Sequence, residues 1–234
     1  KKTPRILIIR HKPLGDTILT LPVFSALKNA FPESRTTIII SRNYSNIVRN
    51  NQNIDEVLEY NKGSFVLFLF RLLFRKFDVS IDYINSPRSS LVTLFSWARF
   101  RFGLHKPRNF FYNEKHKLID HKDYMCEKNL GVLSYLGIEN PPIQYDYVPG
   151  PEALNFVNEF MRNRKVTGKI IGLYVSGSAA IQKWPLKKFL ELGKKLIEDL
   201  EVAVLIVWGP EDSGVIADIS KDPLYSEKLL IAPA

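Results

Sequence analysis

The sequence predicts an α/β protein built from two doubly wound parallel sheets, and three features predict it. Short apolar, β-branched runs alternate with segments of helical periodicity, the pattern of strand–helix–strand units with helices on both sheet faces. The alternation stops once, at the proline-rich stretch NPPIQYDYVPGPE (Asn140–Glu152), and then restarts. At 234 residues, 45% hydrophobic and 24% charged, the chain has the length and composition of one large or two small globular domains. Domains are therefore expected over 1–149 and 150–234.

The elements follow in order. Arg5–Arg10 reads as a buried strand, and Thr17–Ala30 as a helix with Ile18, Leu21, Phe24 and Leu27 on one face and Pro22 in its first turns. Thr36–Ser41 is a second strand, Tyr44–Asn50 a short helix and Val57–Tyr60 a third strand. Ser64–Lys76 reads as a helix, Val79–Ile84 as a fourth strand, and Asp123–Leu136 as a helix stopped by Gly137. Beyond the linker come helix Ala153–Asn163, strand Ile170–Val175, helix Leu186–Leu200, strand Ala203–Trp208, helix Val215–Ser220 and strand Leu229–Ile231. Three strands with no helix after the last fall short of a full doubly wound sheet, so the second unit is expected to be partial.

Composition narrows the function classes. The 33 Lys+Arg against 24 Asp+Glu give a net charge of +9, which suggests an anionic partner: nucleic acid, a membrane surface or a phosphorylated substrate. Cys126 stands alone, which excludes a disulfide framework and a thiolate metal site and fits a reducing compartment. The start lacks a signal-peptide layout, and apolar stretches such as Phe65–Phe70 are far too short to span a bilayer. None of His11, His105, His116 and His121 has metal-site spacing.

Ligands of open α/β sheets bind where strands end and loops lead into helices. Three such loops carry polar groups. RHKPLGDTILTLP places Asp16 after the first strand, where it could serve a ligand or cap the next helix. VSGSAAIQKWP offers Ser176, Gly177 and Ser178, whose backbone N–H groups and hydroxyls suit phosphate oxygens, with Lys183 ahead of Trp184-Pro185. Lys183 could equally be a solvated lysine. VWGPEDSG presents Glu211 and Asp212, either of which could hold ribose hydroxyls or cap a helix. Interleaved aromatics and cations, among them Arg71, Arg75, Lys76, Arg88, Arg99, Arg101 and Arg108, could seat single-stranded nucleic acid or anionic headgroups, or be core aromatics with solvated arginines.

Taken in order, RILIIRHKPLGDTILTLPVFSALKNAFPES, NIDEVLEY, FDVSIDYINSPRSSLVT, FFYNEKHKLIDHKDYMCEKNLGVLSYLGI, SGSAAIQKWPLKKFLELGKKL and WGPED resemble the bacterial lipopolysaccharide heptosyltransferases of glycosyltransferase family 9. The likeness runs over essentially the whole chain. It implies the GT-B fold of two Rossmann-like halves, and an inverting, metal-independent transfer of heptose from ADP-heptose to the lipopolysaccharide inner core, with no cofactor. It implies Asp16 as general base, Ser176, Gly177, Ser178 and Lys183 at the donor diphosphate, and Glu211 or Asp212 at the ribose. The density of positive charge between aromatics separately predicts that Arg71, Arg75, Lys76, Arg88 and Arg108 face the acceptor cleft or the membrane side of the first half, with the enzyme expected on the cytoplasmic face of the inner membrane and bound to no nucleic acid. Two departures stand out. The family's Asp-Ser/Thr-Gly-x-x-His motif has no counterpart here, since Asp212-Ser213-Gly214 comes too early and lacks the His, so its equivalent is expected beyond Ala234. Ala179 replaces a frequent second hydroxyl. The rival class is a non-catalytic basic–aromatic protein binding RNA or anionic lipid.

Overall fold

The computed structural model of the chain describes residues 3–11, 13–60, 62–104, 110–116, 124–177, 183–209, 212–219 and 228–233. It divides into two compact units, Lys1–Gly150 and Pro151–Ala234.

The first unit is a six-stranded, wholly parallel sheet of β1 (Arg5–Ile9), β2 (Arg35–Ser41), β3 (Glu56–Tyr60), β4 (Val79–Asp82), β5 (Phe100–Leu104) and β6 (Glu114–His116) in the order β3-β2-β1-β4-β5-β6. Side chains alternate across a strand, and β1 uses both faces. Ile6 and Ile8 pack under α2 (Leu21–Ala30) and α5 (Met125–Gly131), against Leu21, Phe24, Leu27 and Leu130. Leu7 and Ile9 face α3 (Phe65–Leu73) and α4 (Pro87–Phe95), against Leu69, Leu72 and Val92. A strand apolar on both faces has to be central, and β1 is. The strand order reverses beside it: β2 lies on one side and β4 on the other.

The helix expected over Thr17–Ala30 is two helices, α1 (Leu14–Ile18) and α2, broken at Leu19–Thr20. Pro22 has no N–H to give the carbonyl four residues back, so no helix can run through that turn unbroken. Thr17 and Thr20, both buried, instead donate their hydroxyls to the carbonyls of Pro13 (3.0 Å) and Asp16 (2.8 Å). Asn129 of α5 then clamps the break, donating to the Leu19 carbonyl at 2.9 Å.

Other expectations shift in detail. The helix expected over Tyr44–Asn50 is a 3₁₀ helix at Arg42–Ile47, and the second half of Asp123–Leu136 is 3₁₀ from Val132, closed by Gly137 in the left-handed region (φ 76°). The fourth strand ends at Asp82 rather than Ile84, because the Asp82 carboxylate takes the N–H groups of Ile84 (2.8 Å) and Asn85 (3.1 Å) away from the ladder. Three elements were not expected at all: α4, β5 and β6. Ser86 caps α4 in a reciprocal box with Ser89, with Pro87 at the first helical position. Gly103 of β5 leaves room for the ring of Tyr112; a Cβ there would lie 2.5 Å from the Tyr112 Cδ1.

Asp55 holds the β2–β3 connection. Its carboxylate accepts from Lys28 Nζ (3.0 Å), the Thr36 N–H (2.6 Å) and the Thr36 hydroxyl (3.0 Å). Burial, the largest single influence, acts to raise its pKa, but the Lys28 and Thr36 donors together outweigh it and hold the carboxyl below its usual range. A carboxyl depressed in the folded state adds stability above its unfolded pKa and loses it as pH falls through the folded value. Asp55→Ala is therefore expected to lose ~1–2 kcal/mol at neutral pH, discounted for partial exposure, or about 2–8 °C in Tm. The gap should narrow as pH is lowered into the acid range. Thermal melts across pH check this; an unchanged Tm, or a gap that widens in acid, refutes it.

The second unit is the parallel sheet β7 (Ile170–Tyr174), β8 (Ala203–Val207) and β9 (Leu229–Ile231), in that order, with α7 (Leu186–Leu200) and α8 (Ser213–Ile219). Leu190, Val204, Ile206, Ile216, Ile219 and Leu229 form its core. The linker carries no helix or strand up to Gly150, and α6 (Pro151–Asn163) follows.

Candidate functional site

Each unit gathers polar side chains at the carboxyl ends of its strands. In the first unit this happens beside β1 and β4, the topological switch point where open α/β sheets take ligands. Arg10 follows β1 directly. Its backbone N–H bonds the Ile39 carbonyl (3.0 Å), so the residue is still part of the sheet, and its side chain is only 6% exposed. The guanidinium donates to the Tyr83 carbonyl (2.7 Å) and forms a 3.0 Å ion pair with Asp16 Oδ2. Burial lowers the Arg10 pKa, opposed first by the Asp16 charge and then by Tyr83 and Asp82.

Asp16 lies inside α1, not before it. The N-cap position belongs to Pro13, which makes no side-chain cap, so the capping role weighed from sequence is corrected: the carboxylate turns to Arg10. At 35% exposure it remains open to solvent. Oδ1 has no partner among the described residues.

Behind this pair sits a residue the sequence reading passed over. Asp82, fully buried, accepts from the Tyr112 hydroxyl at 2.6 Å, and that hydroxyl also meets Ser90 Oγ at 2.8 Å. Burial raises the Asp82 pKa, while the Tyr112, Ser89, Ile84 and Asn85 donors work against it. The same carboxylate shapes the β4–α4 turn, in which Asn85 has φ 53°. A lone acid or arginine ending an apolar strand was the signal available, because such charges are rarely buried without a task.

In the second unit, Ser176 and Gly177 follow β7, Lys183 precedes α7, and Asp212 precedes α8. Asp212 joins them. It accepts from the Ser176 hydroxyl and from Lys183 Nζ (2.6 Å), while Ser176 Oγ accepts the Gly209 N–H at 2.6 Å. Hydrogen bonding from Lys183, then from Ser176, holds the Asp212 carboxyl below its usual range. Trp184 rests edge-on against Phe189, with ring centroids 4.9 Å apart. Ser178 and Glu211 lie outside the described residues, as does Arg108.

The remaining cations divide. Arg71 and Lys76 are exposed on and just after α3, and Arg88 is exposed in the first turn of α4. Arg75 is ion-paired with Glu56 of β3, and Arg101 donates to the carbonyls of Phe111 (2.8 Å) and Ala98 (2.9 Å). The outward face of α3 is also apolar: Val66, Leu67 and Phe70 are exposed, and Phe74 just beyond it is 84% exposed. Among the described residues no three His, Cys, Asp or Glu side chains gather as a metal site, and no helix is long and apolar enough to cross a membrane.

Two Rossmann-like units joined by an extended linker are the halves of a GT-B glycosyltransferase. The model of glycosyltransferase family 9 (heptosyltransferase) matches residues 66–233, and the chain belongs to that family: it is a glycosyltransferase. Solved structures share the fold. A family 9 glycosyl transferase from Veillonella parvula aligns at TM-score 0.85 with 21% identity, over 98% of this chain and 68% of that one. Heptosyltransferase WaaC from E. coli, with ADP-2-deoxy-2-fluoro heptose, aligns at 0.75 with 19% identity, over 98% and 76%. ADP-heptose LPS heptosyltransferase II of E. coli aligns at 0.75 with 17% identity, over 97% and 71%. A comparison with curated protein sequences finds no match.

Proposed function

We propose that this enzyme transfers heptose, with inversion, from ADP-heptose to the inner core of lipopolysaccharide, with Asp16 as the general base. One observation carries the reading: a solvent-open carboxylate at the switch point of the first unit, one oxygen paired to a buried arginine and the other without a partner among the described residues. In the reaction an acceptor hydroxyl oxygen bonds to the anomeric carbon as the bond from that carbon to the diphosphate oxygen breaks. The hydroxyl proton passes to Asp16, and the electron pair of the broken bond leaves on ADP. Lys183 and the Ser176–Gly177 loop, with Ser178, stabilise the charge that develops on the diphosphate. Glu211 or Asp212 takes the ribose; Asp212 is already committed to Ser176 and Lys183, which favours Glu211. The two domains, 1–149 and 150–234, take the acceptor and donor sides respectively.

Added ADP is expected to raise the Tm of the protein, and a single-stranded oligonucleotide of equal charge is not. Stabilisation by the oligonucleotide and not by ADP would overturn the ADP-heptose donor reading. Turnover of ADP-heptose, among a panel of nucleotide sugars offered with core-truncated lipopolysaccharide, then tests the donor.

In this reading Arg71, Lys76 and Arg88, all exposed, attract the phosphorylated acceptor and the inner-membrane surface that holds it. Each basic residue near an anionic surface contributes roughly 1 kcal/mol, enough in sum for peripheral association. The protein should sediment with anionic liposomes at low salt and be released as salt rises. No binding at low salt, or binding indifferent to salt, refutes this.

A further inference from the structure

We infer that Arg10 is the positioning residue for Asp16: its buried guanidinium takes Oδ2, fixes the carboxylate and leaves Oδ1 directed at the acceptor hydroxyl. The inference rests on reading Asp16 as the general base, and it adds a residue that the opening motif itself does not mark.

The backbone around Asp16 cannot do this alone. Helix α1 is five residues long, has no side-chain cap, and ends at the Leu19–Thr20 break. Its hydroxyl contacts, through Thr17 and Thr20, tie down main-chain carbonyls and touch no part of the Asp16 side chain. A carboxylate on so short a helix has several rotamers within reach, and the one it adopts is set by what it meets.

Arg10 is built differently. Its main chain is hydrogen-bonded into the centre of the sheet, its stem is buried, and the Tyr83 carbonyl holds one end of the guanidinium. The planar fork is stiff, so with one end held the other points in a fixed direction, to Asp16 Oδ2 at 3.0 Å. Burying a guanidinium is costly unless it is paired, and removing its chief partner would leave that charge stranded. The Asp82 charge eases the burden without contact. Reach and direction thus pass from the sheet, through Arg10, to the one atom the chemistry needs placed.

A purely structural arginine would staple the β1 and β4 ends through Tyr83 and influence turnover, if at all, independently of Asp16. A double-mutant cycle on kcat separates the two roles. In the full-length enzyme, Arg10→Lys keeps the charge and loses the fork; Arg10→Gln loses both. Misplacing a catalytic group by about 1 Å costs up to ~10²-fold, so Arg10→Gln is expected to lower kcat about 10–100-fold and Arg10→Lys less, with donor KM within about twofold. In the Asp16→Asn background both substitutions should change kcat by less than about threefold.

Equal losses in both backgrounds, or unaltered kcat in Arg10→Gln, overturn the inference. If Arg10→Gln does not fold, the cycle with Arg10→Lys decides by the same criterion. Full activity of Asp16→Asn by itself instead removes the general-base reading, and the positioning role with it. That result is distinct from a slow Asp16→Asn enzyme in which the Arg10 losses simply add.

Discussion

Asp16→Asn is expected to lower kcat by about 10²–10⁴-fold, the usual worth of a general base, and to leave ADP affinity near that of the unaltered enzyme. Asparagine keeps the size of the side chain and one oxygen for Arg10, so the 3.0 Å pairing becomes a neutral–charged hydrogen bond rather than a clash. What is lost is the capacity to accept the acceptor's proton. A lost helix cap cannot explain a slow variant, because Pro13 occupies the N-cap of α1. In the proposed reading donor affinity belongs to the second unit, far along the chain at Ser176, Lys183 and Asp212. Steady-state kinetics with saturating donor, alongside ADP calorimetry, check both halves of the statement. A fully active Asp16→Asn enzyme sinks the mechanism.

If Lys183 holds the donor diphosphate as proposed, Lys183→Ala is expected to weaken ADP binding about 10–150-fold, the equivalent of a charge-assisted contact of roughly 1.5–3 kcal/mol. In the structure Lys183 Nζ already has a carboxylate, 2.6 Å away on Asp212. Three donors sit on an ammonium, so one can stay with Asp212 while others turn to phosphate. The substitution also strips Asp212 of its cation and leaves it the Ser176 hydroxyl, so some loss of Tm is expected as well. Calorimetry well below the Tm isolates the binding term. Unchanged ADP affinity with a lowered Tm would make Lys183 a structural partner of Asp212 and nothing more.

Much of the first sheet was legible because its central strands are apolar on both faces. RILII and RTTIIIS have no competing helical reading, and their alternation with amphipathic segments points to parallel pairing. The edge beyond β4 was not legible. In FRFGL the arginine and glycine break the apolar run, and Gly103 looks like a turn residue when it is really the space for Tyr112. Only the fold brings Tyr112, thirty residues on, to the Asp82 carboxylate. Asp16 was visible as a loop carboxylate, but Arg10 read as the tail of a strand. Its role depends on a guanidinium turning back across the sheet end, and that appears only once β4 supplies the Tyr83 carbonyl. Lys183 and Asp212 were both legible as polar loop residues; their pairing was not, since they lie on the loops after two different strands.

The order of strands in the chain has a consequence for synthesis. Strand β1 pairs with β2 on one edge, and its other edge belongs to β4, which lies beyond β3 and α3 in the chain and so is synthesised later. During that interval Ile6–Ile9 is an open, uncharged edge of the kind that recruits strands from neighbouring chains. Arg5 and Arg10 bracket it. Flanking charges of this sort act as gatekeepers against aggregation of the nascent chain. In the folded protein β4 covers that edge, and the Arg10 charge is turned inward, against Asp16. The same arginine that flanks this edge in the sequence ends, in the folded protein, paired with the Asp16 carboxylate.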